Sequence, residues 1–244
     1  MLQALGHEVR WHLVRELLGS DLKVGELTAA IGQAQNLTSY HLKILRDAGL
    51  VRERRGSADG RDVFYSLDRR AVTSGLLSAM AVISPGSQIG TPNAQRESPS
   101  GRQSVLFVCT GNSARSQLAE AMMRNLGGRR VRVRSAGTHP AGVHAGVQRV
   151  LEGRGIHSAK LRSKSVAEFA EWTFDYVVSL CDIARGEPIE VRGNPTFVHW
   201  SIPDPVTATG GQKAVAKAFE MVASEIEVRV GDLYADLTFR EPAA

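Results

Sequence analysis

Hydrophobic spacing changes once along the chain. Through residue 83 the apolar positions recur at helical intervals: Val9, Leu13, Leu17 and Leu18 share one face, Leu27 and Ile31 a second, and Leu37, His41, Leu42 and Leu45 lie on or near a third. This predicts a helix ending at Gly19-Ser20, a second over 22–31 closed by Gly32, and a third over 34–48. Arg52–Arg55 and Arg61–Leu67 alternate around an Asp59-Gly60 turn, as a β-hairpin does, and 69–83 returns to a helical pattern. From residue 104 onward, short apolar runs alternate with helical stretches. Strands are expected at 105–108, 131–134, 175–180 and 197–200, and helices at 115–126, 144–154 and 211–234. Such alternation implies an open α/β domain with a parallel sheet of four strands, a class that binds ligands at the carboxyl ends of its strands. Between the two patterns, 84–103 is rich in Pro, Gly and Ser without apolar period and is expected to be a flexible linker. The expected organisation is therefore a mainly α domain over 1–83, a linker over 84–103 and an α/β domain over 104–244.

Composition narrows this picture only a little. Hydrophobic residues make up 43% of the chain, enough for packed cores, and no apolar run approaches the ~20 residues of a membrane span. No secretory leader is expected at the N-terminus. The two cysteines, Cys109 and Cys181, are too few for a disulfide framework, which favours a reducing, cytoplasmic setting. The net charge of +5 favours anionic partners without selecting one. Residues 1–83 hold 11 Lys and Arg against 9 Asp and Glu, so a nucleic-acid role there rests on where the charges sit.

The most informative stretch is Cys109-Thr110-Gly111-Asn112-Ser113-Ala114-Arg115-Ser116, which links a predicted strand to a predicted helix. Backbone N–H groups of a tight loop leading into a helix N-terminus converge on one point and carry partial positive charge. Arg115 adds a planar fork able to grip two oxygens of a tetrahedral anion, and the same field favours a thiolate at Cys109. A thiolate beneath a bound oxyanion is poised for in-line attack. The plainer alternative is a buried structural cysteine beside an ordinary arginine.

Residues 104–240 resemble the low-molecular-weight tyrosine phosphatase superfamily, which includes one group of arsenate reductases. The loop through Gln117 is similar to the reductase branch, and Ser135-Ala136-Gly137-Thr138 and Ser163-Lys164-Ser165-Val166 match further family segments. The fourth strand is expected to deliver Asp204, in Asp204-Pro205, to the face carrying the loop. The resemblance implies that this aspartate protonates the leaving oxygen. Cys181, after the strand 177–180, is expected at the same sheet edge as Cys109. It is either an inert thiol or, by resemblance to thioredoxin-coupled members, the thiol that resolves Cys109. Val206-Thr207-Ala208 lacks the aromatics that tyrosine phosphatases place after Asp-Pro, which favours the reductase. Those thioredoxin-coupled members carry a third cysteine shortly after the second, whereas 185–190 has none. Either Cys109 and Cys181 pair directly, or an external thiol such as mycothiol, glutathione or a thioredoxin- or glutaredoxin-like protein closes the cycle. No bound cofactor and no metal site are expected.

In the first domain, Lys23–Ile31 and the helix containing Gln35, Asn36, Ser39, Tyr40 and Lys43 read as a helix-turn-helix whose second helix meets base edges, with Arg52, Arg54, Arg55 and Arg61 on a wing against the phosphates. A helical protein-interaction module is the alternative. The stretch Ser39–Val51 resembles the ArsR family of dimeric winged-helix repressors, over roughly 4–80. That resemblance implies an operator in double-stranded DNA, a homodimer with 71–82 at its interface, and a packing role for His41. The Cys-Val-Cys arsenic site of some members is replaced by Lys23-Val24-Gly25. Both resemblances together imply an arsenate reductase fused to a DNA-binding regulator. Two alternatives stand beside it: a phosphomonoester hydrolase on the same loop, and a transcription factor whose enzyme-like half senses an oxyanion.

Overall fold

The computed structural model describes residues 2–57, 60–83, 101–159 and 161–239. They form two compact units. Of the expected linker, 84–100 lies outside the described residues, and Gln103 already belongs to a strand.

The first unit runs α1 (Leu2–Leu5), α2 (Glu8–Glu16), β1 (Leu22–Lys23), α3 (Val24–Ile31), α4 (Gln35–Asp47), β2 (Val51–Arg55), β3 (Val63–Leu67) and α5 (Arg69–Ile83). Its three strands form an antiparallel sheet in the order β1-β3-β2. Leu13, Leu27, Leu42 and Leu45 are fully buried at its centre. Two expectations need correction. Leu37 is 38% exposed and Thr38 is buried instead, because 38, 41, 42 and 45 keep the spacing of one helical stripe and 37 falls beside it. Leu18 is 46% exposed, because α2 has already ended and its C-cap, Leu17, takes the inward place. The second helix of the pattern also begins two residues later than expected. Lys23 is its N-cap: its own backbone N–H donates to Glu26 (2.8 Å), while Leu22 and Lys23 pair with Tyr65 and Phe64 of β3.

The second unit runs β4 (Gln103–Cys109), α6 (Arg115–Gly127), β5 (Val131–Gly137), α7 (Ala145–Gly153), β6 (Tyr176–Ser179), α8 (Asp182–Gly186), β7 (Thr196–His199) and α9 (Gly211–Phe239). The four strands are parallel in the order β5-β4-β6-β7. Central β4 is buried from Ser104 to Cys109, which is why its apolar run is continuous rather than alternating. Phe107, Leu118, Met123, Leu151 and Phe219 fill the core, each contributing about 1.5–3 kcal/mol of burial. The short helix α8 and single turns at Val166–Phe169 and Pro205–Thr207 have no apolar period to announce them. Among the described residues no helix is long and apolar enough to cross a membrane.

Candidate active site

Register brings the site together. Cys109 is opposite Gly137 and Val108 opposite Ser179, so β4, β5 and β6 end at one place. The loop after Cys109 then turns its carbonyls outward. Cys109 O accepts from Thr138 N (3.3 Å), Thr110 O from His139 N (2.8 Å), Gly111 O from Ala141 N (2.9 Å) and Ser113 O from His144 N (2.9 Å). With the carbonyls so engaged, the N–H groups of Gly111 through Ala114 donate to no other described residue. Backbone donors grouped in this way can hold an oxyanion.

The turn is held from behind by Asn112, which has φ 44, the one positive value among the described non-glycine residues. Such a conformation persists only where its surroundings over-determine it. Asn112 is fully buried, and its amide donates to Ser116 (2.8 Å) and Ser135 (2.9 Å). Its Oδ1 accepts from Gln117 (2.8 Å) and the backbone of Lys164 (2.8 Å). Ser135 passes the chain on to Glu120 (2.5 Å), whose carboxylate also holds the Lys164 ammonium (3.0 Å). Gly137 is required for close approach: a Cβ there would lie 2.7 Å from both Asn112 N and Thr110 O. Sequence reasoning assigned no roles to Gln117, Glu120, Ser135 and Lys164. The segments around Ser135 and Lys164 were the available signal, since both matched the family without a function attached.

Cys109 is 1% exposed, with its sulfur 2.9 Å from Ser116 Oγ. The Ser116 hydroxyl therefore faces the thiol. Arg115 is 4% exposed. Its Nη1 donates to Ile202 O (3.1 Å), its Nη2 to Asp204 Oδ2 (2.6 Å), and its buried Nε has no partner. The guanidinium is thus held by the 202–204 segment through one hydrogen on each Nη, which leaves Nε–H and the second hydrogen of each Nη. Asp204 caps the turn at Pro205–Thr207 by accepting from Val206 N (3.1 Å), and about a third of its side chain reaches solvent. Cys181, the N-cap of α8, is 1% exposed, and its sulfur is 3.3 Å from Thr110 Oγ1. Both cysteines are free thiols. Beside Cys181, Asp182 accepts from Ser201 (2.6 Å) and pairs with His199 (3.1 Å), whose other nitrogen meets Ser179 (2.8 Å), which fastens α8 to β7. Thus Cys109, the 110–116 loop, Asp204 and Cys181 converge. Among the described residues no group of three or more His, Cys, Asp or Glu is arranged to hold a metal ion.

The other candidate residues lie in the first unit. Gln35, Asn36, Ser39, Tyr40 and Lys43 are all exposed on α4, with Tyr40 at 59%, and Arg52, Arg55 and Arg61 are exposed on the hairpin while Arg54 is half-buried. Lys43 pairs with Asp47 (2.9 Å) and Arg52 with Asp68 (3.6 Å).

Residues 104–241 match the model of the low molecular weight phosphotyrosine protein phosphatase family, and residues 7–53 that of the bacterial regulatory proteins of the arsR family. The glutaredoxin arsenate reductase of Synechocystis is 31% identical over 134 residues, covering 55% of this chain and 98% of its own. The arsenate reductase of Halalkalibacterium halodurans is 32% identical over 126 residues, covering 52% and 91%. A solved arsenate reductase in a phosphate-binding state superposes with a TM-score of 0.50 at 29% identity, covering 56% and 99%. With the cradle, its brace and these likenesses, the chain belongs to the low molecular weight phosphotyrosine protein phosphatase family and carries an arsR-type helix-turn-helix region ahead of that domain.

Proposed function

We propose that the second unit reduces arsenate with thiols and that the first binds operator DNA as a regulator. The observation that carries the first half is the placement of Cys181, a second buried thiol set against cradle residue Thr110. Hydrolysis of a phosphoester needs no second thiol, whereas arsenate reduction consumes two. Arsenate sits on the N–H groups of the loop and the spare Nε of Arg115. The Cys109 thiolate forms a bond to arsenic, and one arsenate oxygen leaves as water with a proton from Asp204. A second thiolate then attacks the Cys109 sulfur. A disulfide forms, the S–As bond breaks, and its electron pair passes to arsenic, so two thiols are oxidised as As(V) becomes As(III) and arsenite departs.

The absent third cysteine favours an external thiol as the final reductant, and a Synechocystis relative named for glutaredoxin supports a protein or small thiol of that class. The paired test is arsenate-dependent thiol oxidation beside hydrolysis of an aryl phosphate, on wild type and Cys109→Ser. Wild type is expected to oxidise thiol and Cys109→Ser to be inactive. Equal activity in both proteins would remove Cys109 from the chemistry, and aryl phosphate turnover without arsenate-dependent oxidation would make the domain a phosphatase. An intact fold with neither activity would favour an oxyanion sensor. Complete loss of turnover in Cys181→Ser with every low-molecular-weight thiol, with a Cys109–Cys181 disulfide accumulating in wild type, would overturn the external route.

For the first unit, the exposed polar face of α4 and the arginines of the β2–β3 hairpin support DNA binding, with α4 toward base edges and the hairpin toward phosphates. Exposed Leu77 (49%) and Met80 (45%) on α5 suit a homodimer interface. Sedimentation of the full chain at rising concentration tests it, and a monomer throughout would overturn it.

A further inference from the structure

The amino ends of β4 and β5 lie opposite the cradle, and arginines collect there and along β5 without an ion-pair partner among the described residues. From residue 102 to 134 the sequence holds seven arginines and a single acidic residue, Glu120. Arg115 is held by Asp204 and Arg124 by Glu120. The other five form one edge. Arg102 immediately precedes β4, Arg129 and Arg130 make the turn into β5, and Arg132 and Arg134 lie on β5, the outermost strand of the sheet. The Gln103–Val131 pairing sets Arg102 beside Arg130, and Arg132 is opposite Ser104.

None of the five pairs with a carboxylate among the described residues; their contacts are neutral. Arg130 donates to Tyr234 Oη (3.3 Å) and Arg132 to Thr173 O (3.4 Å), leaving a buried Arg132 Nε without a partner. Arg134 lies over the Trp172 ring, 5.5 Å from its centroid. Elsewhere in this unit arginines are routinely matched: Arg154 with Glu220 and Glu227, Arg162 with Glu168, Arg192 with Glu171, Arg229 with Glu225. The deficit is concentrated at this edge, with Arg149 a single unpaired arginine elsewhere among the described residues of this unit.

We propose that this arginine edge is a second DNA contact of the chain, binding the phosphates of duplex DNA outside the site read by α4. Five guanidinium groups spread along one edge suit a polymeric anion better than a single small ion, and their planar forks match phosphate oxygens. Arg102, Arg129 and Arg130 lie at the opposite end of β4 and β5 from Cys109, so they are not part of the cradle. The chain arriving from the first unit enters the second at Arg102. Once the first unit holds DNA, the tether raises the effective concentration of duplex at the residues that follow, so weak phosphate contacts suffice. In this respect the inference rests on the DNA-binding reading of the first unit.

The test is a fluorescence-anisotropy titration of full chain with a labelled mixed-sequence duplex over a salt series. Each phosphate contact contributes about 0.9 to the slope of log affinity against log salt. Substituting all five arginines by glutamine is expected to flatten that slope by up to about 4.5, and the surface pair Arg129→Gln with Arg130→Gln by up to about 2, with arsenate-dependent thiol oxidation unchanged. The surface pair keeps the test valid if the fivefold variant folds poorly. Unchanged slope and affinity in the pair, while Lys43→Ala with Arg55→Ala in the first unit weakens binding, would overturn the arginine edge alone. The reverse pattern would leave the edge standing and overturn the reading of the first unit, and no DNA binding by wild type would overturn both. If the variants self-associate with DNA affinity intact, the arginines merely guard an exposed strand. If only the Michaelis constant for a protein reductant rises, the edge belongs to that partner, and the proposal fails in either case.

Discussion

Two helices of this chain begin with similar chemistry and meet opposite fates. Helix α6 opens with Arg115, Ser116 and Gln117 and continues to Glu120; all four are buried, and each has a hydrogen-bond partner inside its own unit. Helix α4 opens with Gln35 and Asn36 and continues through Ser39, Tyr40 and Lys43, all exposed. The first set is spent on building one conformation of a loop that a positive φ at Asn112 would otherwise make unfavourable. The second set, on the proposed reading, is left for DNA. A cradle for a small anion has to be complete before the anion arrives, because preorganised donors need no rearrangement at the moment of reaction. A surface for a polymer can be assembled in the complex.

The comparison breaks first at Lys164. Its ammonium and the Glu120 carboxylate are both buried, so Lys164→Met strips that carboxylate of its buried cation and leaves it only the partly exposed Arg124, and the second unit is expected to lose about 3 kcal/mol of stability, the low end for a broken buried pair. Chemical denaturation measures this. Pairing Lys164→Met with Glu120→Gln is expected to restore much of the loss, and a single variant as stable as wild type would show that the network does not support the loop. Next in size is Asn112→Ala. It removes the donor to Ser116 and Ser135 and orphans buried groups, an expected cost of about 1–3 kcal/mol, with turnover falling further than stability because the cradle N–H groups lose alignment. If turnover and stability fall in step, Asn112 is structural only.

Tyr40→Ala and Ser39→Ala on α4 make the opposite case. Neither residue is buried, so stability is expected to stay within about 0.5 kcal/mol of wild type. A loss of about 1–3 kcal/mol in affinity is expected only against DNA carrying the operator. A large stability change at either position would place α4's polar face in the fold rather than in recognition.

The same contrast explains what the sequence disclosed. Period alone located β4, α6, β5, α7, β6 and α9, and it located α4, because each buries a continuous run or stripe; β7 was located by its apolar residues although Phe197 is 60% exposed. Helix α8 escaped, since Asp182–Gly186 is held by side-chain bonds among Asp182, His199 and Ser201 rather than by apolar spacing. Within the site, Cys109, Arg115 and Asp204 stood out because their residue types carry chemistry at a strand end. The brace did not. Ser135, Gln117 and Lys164 are ordinary residues whose partners are 5 to 52 positions away, and no local pattern encodes such pairings. The engagement of Arg115 by Ile202 O was equally out of reach, because it depends on where a distant strand ends.

The smallest expected effect is a pH dependence of the first unit, at the residue where its packing and its recognition helix meet. His41 is 3% exposed on the inner face of α4, its ring 4.4 Å from that of His7, with Arg10 Nη1 3.4 Å from its Nδ1. Burial, then His7, then Arg10 hold its pKa below the ordinary histidine value. The unfolded chain therefore binds a proton that the folded chain refuses. The associated stability is present above the ordinary value of about 6.5 and is lost as the pH falls from there toward the lowered folded value. Thermal melts of the first unit's signal are expected to show a falling midpoint over that window, and His41→Gln to flatten the dependence while lowering the midpoint at neutral pH. A slope that survives in His41→Gln would assign the titration to another group and show that α4 is anchored in some other way.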